Sequence, residues 1–152
     1  MSFIIIIAII LLDQFSKYLV LNHLTDISTI PLWEGVFHLT YRENTGAAFS
    51  IFTDMQLFLK IITSIFVVLL LIFLIKHVRS EKKFTLKALS LSFIIGGAVG
   101  NLIDRLRFNF VVDFFDFRLI NFAVFNVADS FIVIGSILLI IILMLDPSDK
   151  IF

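Results

Sequence analysis

Residues 86–106 read LKALSLSFIIGGAVGNLIDRL, and this stretch decides the fold. The run is apolar and long enough to cross a bilayer as one helix, which takes about 20 residues. Within it, Gly96 and Gly100 give the small-x-x-x-small spacing that lets helices approach closely. Close packing explains the glycines alone. It does not explain the next turn, where Asn101, Asp104 and Arg105 gather at one end of the run. Ionisable groups inside a membrane segment are costly and usually mark a functional site. Asp104 and Arg105 read either as a local ion pair or as an aspartate beside an arginine that reaches lipid phosphate.

The rest of the chain repeats the theme. Its 152 residues are 60% hydrophobic and 16% charged, against about 45–50% and about 25% in an average soluble domain. The mean hydropathy is +1.09. The apolar residues fall in long runs, so the chain reads as one polytopic membrane domain over 1–152. The net charge of +0 gives no reason to expect nucleic acid as a partner. With Cys 0, disulfides, thiolate metal sites and a cysteine nucleophile are excluded.

Four spans are expected, at about 3–21, 57–75, 86–106 and 125–145, each helical because lipid leaves no other partner for the backbone. The second connection carries Lys76, Arg79, Lys82, Lys83 and Lys87 against one acid, Glu81. The positive-inside rule makes it cytoplasmic, with both termini inside and the connections at about 22–56 and 107–124 outside. The first span lacks a basic leader and a small-residue cleavage site, and Asp13 and Lys17 interrupt it, so it is expected to stay as an uncleaved span.

The first outer connection is too long for a turn. Pro31 and Gly35 punctuate it, and Val36, Phe37, Leu39 and Tyr41 alternate in part, which predicts a short strand or small sheet. Trp33 and Tyr41 suit a membrane interface. Ala47-Ala48-Phe49-Ser50 is expected to enter a short surface helix.

Two local patterns echo each other: Asn101-Leu-Ile-Asp104 and Asn126-Val-Ala-Asp129. The i,i+3 spacing puts amide and carboxylate on one helix face. Asp129 opens the fourth span, where a first-turn acid is also favoured by the helix dipole. Asp113 and Asp116 sit in Val111-Val112-Asp113-Phe114-Phe115-Asp116-Phe117. Apolar neighbours desolvate a carboxylate and raise its pKa. If Asp113 and Asp129 converge, one keeps a proton while the other activates a water, as in aspartic proteases. Asp13 and Lys17, at i,i+4, are expected to pair on one face. Asn44, close before Gly46, favours a turn. His23, His38 and His77 share no ligand spacing, whereas an all-carboxylate metal site from the aspartates stays open.

Taken together, five segments resemble the lipoprotein signal peptidase (signal peptidase II) family of bacterial aspartic membrane peptidases. They are Asp13-Gln14-Phe15-Ser16-Lys17, Asn44-Thr45-Gly46-Ala47-Ala48-Phe49, Gly96 to Arg105, Val111-Val112-Asp113-Phe114 and Phe125-Asn126-Val127-Ala128-Asp129. They occur in family order and span nearly the whole chain. The resemblance implies four transmembrane helices with a small extracytoplasmic β-cradle at about 25–55 and a surface helix. It implies catalytic Asp113 and Asp129, supported by Asp13, Lys17, Asn44, Gly46, Asn101, Asp104, Arg105, Asn126 and Ala128, with no metal or other cofactor; Asp116 falls outside the pair. The implied substrate is a diacylglyceryl-modified prolipoprotein, cut just before its lipidated Cys at the outer face of the bacterial cytoplasmic (inner) membrane. Membrane lipids are the other expected partner, and the chain is expected to be a monomer. Two other classes compete from the residues alone: a transporter or proton channel, and a membrane scaffold. A metal-dependent hydrolase is a third alternative.

Overall fold

The computed structural model describes residues 1–46, 55–81 and 83–145. Among the described residues, four helices are long and apolar enough to cross a membrane. They are α1 (Ser2–His23), α2 (Gln56–Ser80), α3 (Leu86–Phe108) and α4 (Val127–Leu145). Strands β1 (Thr29–Trp33) and β2 (Phe37–Asn44) lie between α1 and α2, and β3 (Val111–Asp116) lies between α3 and α4. The expected surface helix at 47–50 lies outside the described residues.

The helices follow the expected spans to within two residues except at the end of α2, and two of the differences have a local reason. α2 reaches Ser80 rather than 75, because the charges at Lys76 and Arg79 end the apolar stretch without breaking the backbone ladder. α4 begins at Val127 rather than 125. Asn126 stops it: its Oδ1 accepts the Asp129 N–H at 2.9 Å, and Asp129 Oδ2 accepts the Asn126 N–H at 3.2 Å. This is a reciprocal capping box, so the second of the two Asn-x-x-Asp patterns is a helix start. The first lies inside α3.

α3 is the most buried of the four and packs on α1, α2 and α4. Its glycines make this possible. A methyl carbon at Gly96 would meet Ile9 of α1 at 2.9 Å, and one at Gly100 would meet Asp13 Oδ2 at 2.6 Å. At Gly97 it would stand 2.3 Å from the Ala128 carbonyl oxygen of α4. Away from α3 the helices expose Ile, Leu and Phe side chains along their lengths. A face so apolar suits lipid and would be an aggregation site in water.

The three strands form one antiparallel sheet in the order β1-β2-β3. The β1–β2 turn uses Gly35 at φ +71, a conformation glycine adopts without cost. The sheet is therefore larger than expected, since Val111–Asp116 pairs with Phe37–Asn44 where the sequence reading placed only a connection. Val20 of α1 and Leu24 just beyond it pack with Val112 and Phe114 of β3, fixing the sheet to the end of α1. The opposite end of the bundle carries Lys76, Arg79, Lys83 and Lys87.

Candidate active site

Five elements bring the expected residues to one place, beneath the sheet. Asp113 comes from β3 and Asp129 from the first turn of α4. Asn101, Asp104 and Arg105 come from the last turns of α3, and Asp13 and Lys17 from α1. Asn44 ends β2.

The centre of the cluster is Lys17, 2% exposed. Its Nζ lies 2.9 Å from Asp13 Oδ2, 2.9 Å from Asp104 Oδ2 and 2.9 Å from Asn101 Oδ1. An ammonium has three protons and no acceptor, so all three are used. The expected Asp13–Lys17 pair is present, but the Asp104–Arg105 pairing is not. Asp104 faces Lys17, while Arg105 Nη2 donates to the Gly46 carbonyl at 3.1 Å. The reason is tertiary: adjacent residues on a helix point about 100° apart, and α1 offers the better-buried partner. Gln14, which the site expectation omitted, completes the set by donating to Asp104 Oδ1 at 2.9 Å. Its signals in the sequence were its polar side chain inside an apolar span and its place beside Asp13.

The two supporting aspartates have parallel tasks. Asp13 Oδ1 accepts the backbone N–H of Ala128 at 2.9 Å, and Asp104 Oδ2 accepts that of Val112 at 3.1 Å. Each thus grips the residue immediately before Asp129 or Asp113. Ala128 contributes its backbone and its small size, its Cβ lying 3.4 Å from where a side chain at Gly100 would begin.

The amides relay direction from this ion cluster to the carboxylate pair. Asn101 Oδ1 accepts from Lys17 and from Asn126 Nδ2 at 3.1 Å. Its Nδ2 is thereby turned to Asp129 Oδ1, at 2.7 Å. Asn126 Oδ1 is held by the Asp129 N–H, so its Nδ2 also reaches Asp113 Oδ1, at 2.6 Å. Asn44 Nδ2 donates to Asp113 Oδ2 at 2.9 Å, while its Oδ1 accepts from Gly46 N–H in the expected turn. Each carboxylate of the pair therefore accepts two N–H bonds.

Burial pushes the Asp113 carboxyl up to about 7, and the nearby charge of Asp129 adds to the rise against the Asn44 and Asn126 hydrogen bonds. Asp116 behaves otherwise, correcting the expectation of a raised value for both. Burial raises it too, but hydrogen bonds from Thr40 Oγ1 at 2.7 Å and Arg118 Nε at 2.9 Å outweigh that and hold it below the usual range. Asp116 belongs to a separate network on the sheet. Among the described residues, no three His, Asp or Glu side chains form a metal-holding group.

The pair opens onto a cavity of about 600 Å³. Asn44, Asn101, Arg105, Asp113 and Asp129 line its polar end, and Phe66 of α2 and Ile132 and Val133 of α4 line its apolar length.

Fold and site define a class: a multi-pass helical protein with a hydrogen-bonded carboxylate pair at one end of its bundle, at the mouth of an apolar groove. The chain belongs to the signal peptidase (SPase) II family, whose model matches residues 5–145. It is 48% identical over 137 residues to the lipoprotein signal peptidase of Clostridioides difficile (strain 630), covering 90% of each chain. It is 45% identical over 139 residues to that of Caldanaerobacter subterraneus subsp. tengcongensis, covering 91% of this chain and 92% of that one. It also superposes on a bacterial membrane enzyme solved by the in meso method at 2.3 Å resolution, with a TM-score of 0.87 and 33% identity. That match covers 98% of this chain and 90% of the other.

Proposed function

We propose that the chain is a single-domain aspartic endopeptidase that removes the signal peptide from diacylglyceryl-modified prolipoproteins, cutting just before the lipidated Cys. The observation that carries this reading is the pairing of Asp113 and Asp129 at the mouth of an apolar groove, each fixed by two N–H donors.

Two buried carboxylates bridged by one residue, Asn126, do not both ionise cheaply, so the pair holds one proton near neutrality. In this reading the proton is assigned to Asp113, whose carboxyl burial and the charge of Asp129 push up to about 7, and Asp129 acts as the base. Asp129 takes a proton from water as its oxygen attacks the scissile carbonyl carbon, and Asp113 gives its proton to the carbonyl oxygen. Collapse of the tetrahedral intermediate breaks the C–N bond: Asp129 passes its proton to the leaving amine of the Cys, and Asp113 takes one back from a hydroxyl of the intermediate, which restores the pair. No covalent enzyme intermediate forms. The groove between α2 and α4 takes the signal helix, and its apolar walls suit acyl chains. Arg105 Nε is buried and has no hydrogen-bond partner among the described residues, so it is free to hold a substrate carbonyl.

The sheet and site lie at the extracytoplasmic face of the bacterial cytoplasmic membrane, with both termini inside. The lysines and arginines at the other end support this through the positive-inside rule. The enzyme acts as a monomer without a cofactor. Because the chain has Cys 0, a single Cys introduced at Glu34 should react with an impermeant thiol reagent added outside intact cells.

The test is cleavage by purified protein in detergent. A diacylglyceryl prolipoprotein is run beside its unlipidated form, with wild type, Asp113→Asn and Asp129→Asn, with and without EDTA. Lipid-dependent cleavage, lost in both variants and indifferent to EDTA, is expected. A fully active Asp113→Asn enzyme, or no cleavage by folded wild type, would sink the assignment and return the chain to the transporter and scaffold readings.

A further inference from the structure

A second cavity, of about 640 Å³, lies on the sheet beside the catalytic groove. Thr40, Arg42, Asp116 and Arg118 line it, and Phe122, Ala123 and Val124 line both cavities. The segment 122–124 is thus a sill between an apolar chamber and a polar one. The two are also tied across the sheet, because Arg42 of β2 stands directly opposite Asp113 of β3. Side chains directly opposite on antiparallel strands share a face and lie about 5 Å apart at Cβ. The polar cavity therefore begins one cross-strand pair from the carboxylate that acts on the substrate.

Its charges are unequal. Arg118 Nε bonds Asp116 Oδ2 at 2.9 Å, and Arg118 Nη2 bonds Thr29 Oγ1 at 3.2 Å and Thr40 Oγ1 at 3.5 Å. Thr40 Oγ1 donates to the same Asp116 oxygen at 2.7 Å. That ion pair is internally neutral and held in place. Arg42 has no ion-pair partner among the described residues and is exposed. The chamber thus carries one uncompensated positive charge, borne on the strand that faces Asp113.

A peptide bond cut at the pair has two ends. The signal helix fills the apolar groove, so the chain after the cleaved bond must leave away from the helices, past the sill and over the sheet. We propose that this polar cavity is the subsite for the first residues of the mature lipoprotein after its lipidated Cys, and that Arg42 makes it favour acidic or neutral residues over basic ones. The proposal rests on the peptidase reading and adds a specificity determinant to it. Arg42 is exposed, so its effect is modest, about threefold to tenfold in kcat/KM between opposite substrate charges.

The test uses three diacylglyceryl lipopeptides that differ only in the two residues after the Cys: Asp-Asp, Ser-Ser and Lys-Lys. Wild type should cleave Asp-Asp and Ser-Ser faster than Lys-Lys. Arg42→Gln should flatten the series, mainly through KM, and Arg42→Glu should invert it, with thermal unfolding in the same detergent as the check that each variant is folded. The series is repeated in phosphatidylcholine vesicles with and without anionic phosphatidylglycerol. A wild type indifferent to substrate charge, or an Arg42→Glu enzyme that keeps the wild-type order, overturns the subsite. So does an Arg42 effect that follows anionic lipid and not the peptide, which would make the cavity a site for lipid phosphate. If the peptidase reading itself were wrong, none of the three peptides would be cleaved, a distinct outcome.

Discussion

Gly97→Ala is the sharpest probe of how packing sets the chemistry. The added methyl carbon would stand 2.3 Å from the Ala128 carbonyl oxygen and 2.8 Å from Ile132 Cγ1, where ordinary contact starts at 3.4 Å. The obstructing oxygen belongs to helix backbone, so no side-chain rotation relieves it. The shortfall of about 1 Å must be met by moving α4 away from α3, and overpacking of this kind costs about 1–3 kcal/mol. Asp129 follows Ala128 directly and moves with it. The Asn101–Asp129 bond of 2.7 Å and the Asp13–Ala128 bond of 2.9 Å would then be lost or severely weakened. Misplacing a reacting group by about 1 Å costs on the order of 100-fold in rate. The assay is cleavage of the lipidated substrate under single-turnover conditions, with thermal unfolding in the same detergent. Chemistry should slow about 100-fold in a protein that is still folded. Gly96→Ala is the control, since its methyl meets Ile9 of α1; it should destabilise similarly and slow cleavage far less. A folded Gly97→Ala enzyme within about threefold of the wild-type rate would refute the link from helix spacing to the carboxylate pair.

Three further outcomes follow from the same geometry. Asn101→Asp keeps the side chain's shape and its acceptor toward Lys17 but removes the N–H that reaches Asp129 at 2.7 Å. A hydrogen bond to a charged acceptor is worth about 1.5–3 kcal/mol, so kcat should fall roughly 10- to 100-fold, with KM changing less, in steady-state kinetics. The Asp113 carboxyl, held near 7 against an ordinary 3.8, keeps its proton longer in the folded state. Its contribution to stability is therefore full below about pH 4 and is lost as pH rises through about 7. The unfolding temperature of wild type relative to Asp113→Asn should decline over that window and level off above it; a flat difference would contradict the buried carboxyl. Lys17→Met leaves Asp13 and Asp104 buried without their shared cation. Breaking a buried pair costs about 3–5 kcal/mol, and chemical denaturation in detergent should show a loss of that order.

Parts of the site were readable from short-range pattern. Asn101 with Asp104, and Asp13 with Lys17, lie within about one helical turn, and a helix converts such spacing directly into shared faces; Asn126 with Asp129 marks a helix start instead. Asp113 stood out because its neighbours are apolar. Other features had no local signal. Asp104 selects Lys17 over the adjacent Arg105, and α1 decides that from across the bundle. The backbone N–H groups of Val112 and Ala128 become functional only because α3 and α1 aim acceptors at them. Asp116 shares Asp113's apolar setting in sequence, yet Thr40 and Arg118 place it in another network.

The sequence by itself determined the four apolar helices, because lipid offers the backbone no alternative partner and each span must satisfy itself. It also determined which carboxylates are out of place in such a setting. Only the tertiary structure decided that Val111–Asp116 is a strand, since a strand's hydrogen bonds come from another segment and β2 lies some seventy residues earlier in the chain. The same pairing sets Arg42 opposite Asp113. The glycine-lined contact of α3 with α4 then brings Asp129 to the Asn101 amide, at a spacing that no single helix encodes.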